Sequence, residues 1–448
     1  MTNTWGHRAL RLIDSGVAAV VVLVALPALL IAPIFVRRFD TARNVIVSVT
    51  ADTIADTHRL NTPEGLARFY GRAPFVRTYV VHVGGQPAAT RKLGPGVVGI
   101  ELVPPIKWPD AIIRSLPLTT RIATELLSIP AVIGLMRRLG GDVLEVMSPS
   151  AMVPRALLVQ LLTGCRLTTQ VRGNVDLLTY SLGAYFYCRI RSRWLLPRMF
   201  AGAVHRLIAE GFYRRCDLVV GYNVNNLQSA ISNGADPSKS RLARIAIDRT
   251  ILEAPIATRD ALPGFPQTGR VVLLWSRLGP EKYVREALEA FIDLAATHAD
   301  VTFVVIGDGP LRESLEARAR AVGLAARALF LGFRDRAFIR SAAAFSDVAL
   351  VPYGGSSLVE AILLDLPVVA FDIEWHAEIV RPGETGFLAD FPDSKHMAMQ
   401  VRAALDAPAD AQRMARACRV VADSMFDPDR VRADERRIYA SLHGQTAA

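Results

Sequence analysis

Cysteine is scarce: the 448 residues hold four, Cys165, Cys188, Cys216 and Cys418. They show neither metal-ligand spacing nor the density of a disulfide scaffold, so they read as reduced thiols of a cytosolic compartment. No internal repeat and no low-complexity tract is present. No compact nucleic-acid motif occurs either, and the arginines are scattered instead of gathered on one helix. Nucleic acid is therefore not the expected partner, although the net charge is +10. Charged residues make up only 21% against 51% hydrophobic ones, which describes a globular chain. At this length one core does not suffice, and two domains are expected.

The charge that is there is lopsided. Residues 1–250 carry 30 Lys+Arg against 15 Asp+Glu, and the remainder 22 against 27. A basic first half calls for an anionic partner, and a membrane surface fits best. Gly16 to Val36, "GVAAVVVLVALPALLIAPIFV", is an uncharged run of 21 residues, long enough to cross a bilayer. No small-residue cleavage site follows, which disfavours a signal peptide. Arg8 and Arg11 precede the run, and Arg37, Arg38 and Arg43 follow it. The positive-inside rule then places both flanks in the cytoplasm, and Pro27 supplies the bend that a re-entrant helix needs. The stretch "RLIDSGVAAVVVLVALPALLIAPIF" resembles the membrane helix of bacterial polyprenol-phosphate sugar transferases, with Arg11, Asp14 and Pro27 at matching places. A second basic stretch, Tyr185 to Arg215, interleaves seven arginines with Tyr187, Trp194 and Phe200. It reads as a headgroup-layer segment or as an ordinary surface helix, and the neighbouring apolar run favours the first.

Beyond the membrane segment the pattern alternates. "NVIVSV", "TYVVHV", "VVGIEL", "DVLEVM", "RLTTQV" and "DLVVGY" read as buried parallel strands separated by helices. A proline-rich break at Glu253 to Gly269 is followed by a second series, "RVVLLWS", "VTFVVIG", "ALFLG", "DVALVP" and "PVVAFD". The expected organisation is a membrane-associated helix at 1–40, an acceptor-side Rossmann-like domain at 41–252 and a linker at 253–269. A nucleotide-sugar-binding Rossmann-like domain at 270–425 and a C-terminal helix at 426–448 packing back on the first domain complete it. The fold class is α/β, with two doubly wound sheets facing a cleft.

Two segments of the second series carry chemistry. Gly354, Gly355, Ser356 and Ser357 open a helix, where unpaired N–H groups and the helix dipole favour a phosphate. Glu360 has an ordinary alternative, because Ser357-x-x-Glu360 has the form of a capping box. In "WSRLGPEKYV", Arg277 and Lys282 stand five apart across a Gly-Pro turn. A planar fork and a mobile ammonium together suit a diphosphate, against the plain reading of a solvated loop.

The order "SRLGPEK", "VVIGDGPLRESLEARARAVGL", "ALFLGF", "GGSSLVEAILLDLPVVAFD", "AEIVRPGETGFLAD" resembles the nucleotide-binding half of the group-four retaining glycosyltransferases of GT-B fold. The likeness covers about Arg270 to Asp393. It implies that Arg277 and Lys282 clamp the donor diphosphate and that Glu360 binds the ribose hydroxyls. It implies further that Gly354, Gly355, Ser356, Ser357 and Leu358 hold a phosphate. Gly307, Gly309, Gly332 and Phe333 would surround the base. The family needs no divalent metal or other cofactor, and no Asp-x-Asp cluster stands in a plausible position here. "CRLTTQVRGNVD" falls where the family has an acceptor-domain strand, making Arg172, Asn174 and Asp176 candidates for sugar or acceptor contact, together with His376.

Two positions depart from the family pattern. Its usual glutamate eight residues before Glu360 is Pro352 here, and its usual His-Gly is Arg172-Gly173. Both touch the sugar side and leave the diphosphate side intact. The resulting expectation is a glycosyltransferase of hexosyltransferase type at the bacterial inner membrane, catalytic domains on the cytoplasmic side. It would use a nucleotide sugar and a lipid-linked or surface-polysaccharide acceptor. The rivals are a silent nucleotide-binding scaffold of a membrane glycan-synthesis complex and a nucleotide-sugar epimerase.

Overall fold

The computed structural model describes residues 45–50, 75, 77–83, 89–103, 106–147, 153–171, 209–245 and 249–443. The expected membrane helix at 1–40 and most of the basic stretch 185–215 lie outside the described residues. Among the described residues no helix is long and apolar enough to cross a membrane. The chain divides into two compact units, one of residues up to Ile245 together with Asp429–Ala448, the other Ala246–Pro428.

The first unit is built on an eight-stranded sheet. Its strands are β1 (Val45–Thr50), β2 (Arg77–Val83), β3 (Ala89–Gly94), β4 (Val97–Leu102), β5 (Val143–Met147), β6 (Arg166–Val171), β7 (Leu218–Gly221) and β8 (Ser240–Leu242). They lie in the order β3-β4-β2-β1-β5-β6-β7-β8, and all pairs are parallel except β3 with β4. The parallel strands are apolar on both faces because helices cover both. Val47, Leu144, Val146 and Leu167 pack on one side with Val132, Met136 and Val159 of the helices Ile129–Leu139 and Val153–Thr163. Ile46, Val143, Leu218 and Val220 pack on the other against Tyr439 and Leu442. Strand β3 has no such run. Its Arg91 and Lys92 are exposed, as suits an edge that must not recruit further strands.

Tyr439 belongs to the helix Pro428–Ala440 and is fully buried. Its hydroxyl donates to Glu145 Oε1 at 2.7 Å and accepts from Gln170 Nε2 at 2.9 Å. One side chain thus ties the end of the chain to β5 and β6. Tyr439→Phe should lower the unfolding free energy by about 1–3 kcal/mol, the cost of leaving buried polar partners short. The denaturant midpoint reads this, and an unshifted midpoint would mean that packing alone holds the helix.

The second unit carries β9 (Arg270–Trp275), β10 (Val301–Ile306), β11 (Ala328–Gly332), β12 (Val348–Val351), β13 (Val368–Phe371) and β14 (Phe387–Ala389). Their order is β11-β10-β9-β12-β13-β14, and every pair is parallel. All C-terminal strand ends therefore lie along one edge, where open α/β sheets bind ligands. The segment Glu253 to Gly269, expected as a linker, is instead part of this unit. Leu262 and Phe265 are buried in its core with Val271 and Leu273. Proline and the lack of periodicity describe its irregular backbone correctly, but they say nothing about its anchoring side chains.

Candidate active site

The strand ends of the second unit gather the residues singled out in the sequence. Strand β9 ends at Trp275, and the chain passes Arg277 before the short 3-10 turn Pro280–Lys282. Tyr283 then takes φ 51°, and the helix Val284–Ala295 begins. Tyr283 is buried, edge-on to Phe391 with ring centroids 4.8 Å apart, which anchors the turn presenting Lys282. Lys282 Nζ lies 4.9 Å from the ring centroid of Tyr353. Its partial burial holds the ammonium pKa below the ordinary range, with Glu281 opposing and Arg277 reinforcing that shift. Arg277 is 67% exposed and ion-paired with Glu281. The two cations are near enough to feel each other, so an anion between them would relieve a standing repulsion.

Gly307 and Gly309 follow β10. Gly307 has φ 129°, and a Cβ there would fall on the carbonyl oxygen of Ser276. A Cβ at Gly309 would lie 2.6 Å from Leu278 O. Both glycines thus serve the close packing of the β10 loop on the β9 loop, secured by Leu278 N–H to Asp308 O at 2.9 Å. Gly332 ends β11, and its carbonyl accepts the N–H of Gly307 at 2.8 Å. Phe333 beside it is 82% exposed, an unusual state for a phenyl ring and one suited to stacking.

The helix after β12 spans Ser356–Leu363 and corrects two expectations. Its N-cap is Gly355, without a side-chain cap hydrogen bond, so Ser357 lies inside the helix and forms no capping box. Glu360 instead accepts from Trp275 Nε1 at 2.8 Å. The N–H of Gly354, expected on a phosphate, is given to His376 Nε2 at 3.2 Å. A Cβ at Gly354 would also collide with Leu358 and Val351, which makes this glycine a packing requirement. Space is open beside Gly355, where a Cβ would meet nothing within 4 Å. Leu358 points its side chain into the core. The first-turn N–H groups that would face a phosphate at this helix start are those of Ser356, Ser357 and Leu358.

His376 is the third correction. Named above only as a candidate for sugar or acceptor contact, it is fully buried at the start of the short helix His376–Ile379. Its Nδ1 is 2.8 Å from Phe371 O, so both nitrogens serve the fold. Burial lowers its pKa, so the ring holds its neutral form to lower pH in the folded chain than in the unfolded one. The unfolded chain takes up this proton below about 6.5. The stabilisation by neutral His376 is thus complete above that value. It declines as pH falls toward the lower folded pKa, by at most about 1.4 kcal/mol per unit. Denaturant unfolding of wild type and His376→Gln should accordingly converge on acidification; a constant gap would contradict a neutral buried ring.

Arg172, Asn174 and Asp176 lie outside the described residues. Trp275, Tyr353 and Glu374 were not anticipated. Tyr353 hydrogen-bonds Glu374, and burial, first, with this neighbouring carboxylate raises its hydroxyl pKa. Among the described residues no group of three or more His, Cys, Asp or Glu could hold a metal ion.

Residues 258–420 match the Glycosyl transferases group 1 family. Among curated relatives, 2-deoxystreptamine glucosyltransferase of Streptomyces kanamyceticus is 31% identical over 40% of this chain and 45% of its own length. Phosphatidyl-myo-inositol mannosyltransferase of Mycolicibacterium smegmatis is 33% identical over 43% and 50%. The chain thus spans about half the length of these relatives. Anabaena HepE, solved with UDP and glucose, superposes with TM-score 0.62 at 17% identity, over 89% of this chain and 99% of that one. Together with the two largely parallel sheets, this likeness shows the GT-B two-domain α/β fold.

Proposed function

We propose that the chain is a membrane-associated, metal-independent, retaining glycosyltransferase. It moves a sugar from a nucleotide-diphosphate donor to a lipid-linked or surface-polysaccharide acceptor at the cytoplasmic face of the bacterial inner membrane. The observation that carries this reading is one meeting of side chains within the family-matched segment. Lys282 and Arg277 project from the end of β9, and Glu360 is held by Trp275 at that same strand end. Breaking the bond between sugar and diphosphate leaves negative charge on the departing phosphate oxygen. Two cations and the first-turn N–H groups of the helix Ser356–Leu363 are placed to take up that charge. Glu360 accepts the ribose hydroxyls, and Phe333 stacks on the base. The uncharged run 16–36, the basic first half and the lipid acceptor in a relative's name favour a lipid acceptor here.

The scaffold reading draws on Pro352, buried where the resemblance expects a carboxylate, and on Arg172, which lies outside the described residues. Membranes containing the chain, incubated with radiolabelled nucleotide sugars one at a time and extracted for lipid, separate the readings. Label in the lipid phase, undiminished by excess EDTA, is the expected result. A changed free nucleotide sugar would indicate an epimerase, and no turnover of any donor a scaffold.

A further inference from the structure

Glu374 lies just past the C-terminal end of β13 with φ 51°. Three non-glycine residues among those described adopt positive φ, and two of them, Tyr283 and Glu374, border Lys282. An L-residue persists in that region only where its surroundings hold it there. The side chain is partly buried. Its carboxylate accepts from the Tyr353 hydroxyl, and the Tyr353 ring carries Lys282 on its face. Its negative charge favours the Lys282 ammonium.

Strand order gives this position a meaning. Along the ligand edge stand exposed Phe333 after β11, the glycine loop after β10, Lys282 and Arg277 after β9, the open helix start after β12, and Glu374 after β13. An extended nucleotide sugar with its base at β11 and its diphosphate at β9 and β12 places its sugar one strand further on. That strand is β13, about 5 Å beyond β12. Resting on the glycosyltransferase reading above, we propose that Glu374 recognises the donor sugar, its carboxylate accepting hydroxyls of a neutral hexosyl group. The strained backbone aims the carboxylate, and the Tyr353 hydroxyl fixes its second direction. A sugar bearing its own carboxylate would be repelled.

Calorimetric titration of the full chain with UDP, GDP and ADP, then with the glucose conjugate of whichever binds, tests this assignment. Glu374→Gln should keep the diphosphate affinity within about twofold while weakening the glucose conjugate about tenfold, the loss of one hydrogen bond to a charged acceptor. Glu374→Gly should lose the same selectivity, since it removes the carboxylate altogether. Parallel loss of diphosphate and conjugate would overturn the inference, since Glu374 would then act through Lys282. Unchanged affinities for both would overturn it too. If wild type binds none of the three diphosphates, the glycosyltransferase reading itself fails and takes this inference with it.

Discussion

Lys282→Ala is expected to cost about 2–4 kcal/mol of transition-state stabilisation, a fall of roughly 30- to 900-fold in kcat/KM. The side chain is half-buried against Tyr353, so its charge acts through a medium less polar than water. Desolvation already depresses its pKa, which means that the free site holds a cation at some cost and regains it when an anion arrives. Arg277→Ala belongs at the lower end of the same range. Its guanidinium is largely exposed and must exchange Glu281 for the ligand. Turnover of the labelled donor by both variants is the measurement. Two variants as fast as wild type would remove the diphosphate clamp, and with it the reason to call this edge an active site.

Glu360→Gln should weaken binding of the nucleoside diphosphate by about 1.5–3 kcal/mol, the range for hydrogen bonds to a charged acceptor. The fold should tolerate the change. Glutamine keeps one carbonyl oxygen for Trp275 Nε1, and the helix has no capping box to lose. The melting temperature without ligand therefore stays put while the calorimetric affinity drops. Equal affinity of variant and wild type would make Glu360 a mere anchor for Trp275. The control is Trp275→Phe, which removes this one donor and leaves the carboxylate's charge in place. It should reduce affinity less than the glutamine variant, because the charge remains.

Much of this was legible in the chain itself. Strands β9 to β13 announce themselves as short apolar runs between helices, since a strand covered on both faces has no polar side to show. Strands β3, β8 and β14 do not, being edge strands with polar or very short sequences. Arg277 and Lys282 could be picked out because their chemistry is local, two cations around one turn. His376 could not be judged so. A histidine after a strand has the same local pattern whether its ring faces a ligand or, as here, closes a buried bridge between Phe371 and Gly354.

The sequence by itself determined the α/β class, the succession of elements and the cationic turn after β9, because these depend on residues close in the chain. Only the tertiary structure decided that Glu360 serves Trp275, 85 residues away, and not its own helix end. It alone brought Tyr439 to β5 and β6 and seated Glu253 to Gly269 in the second core. Glu374 likewise gained its place beside Tyr353 and Lys282 from the lateral order β9-β12-β13. That order arises from which apolar faces pack best together, and no periodicity along the chain encodes it.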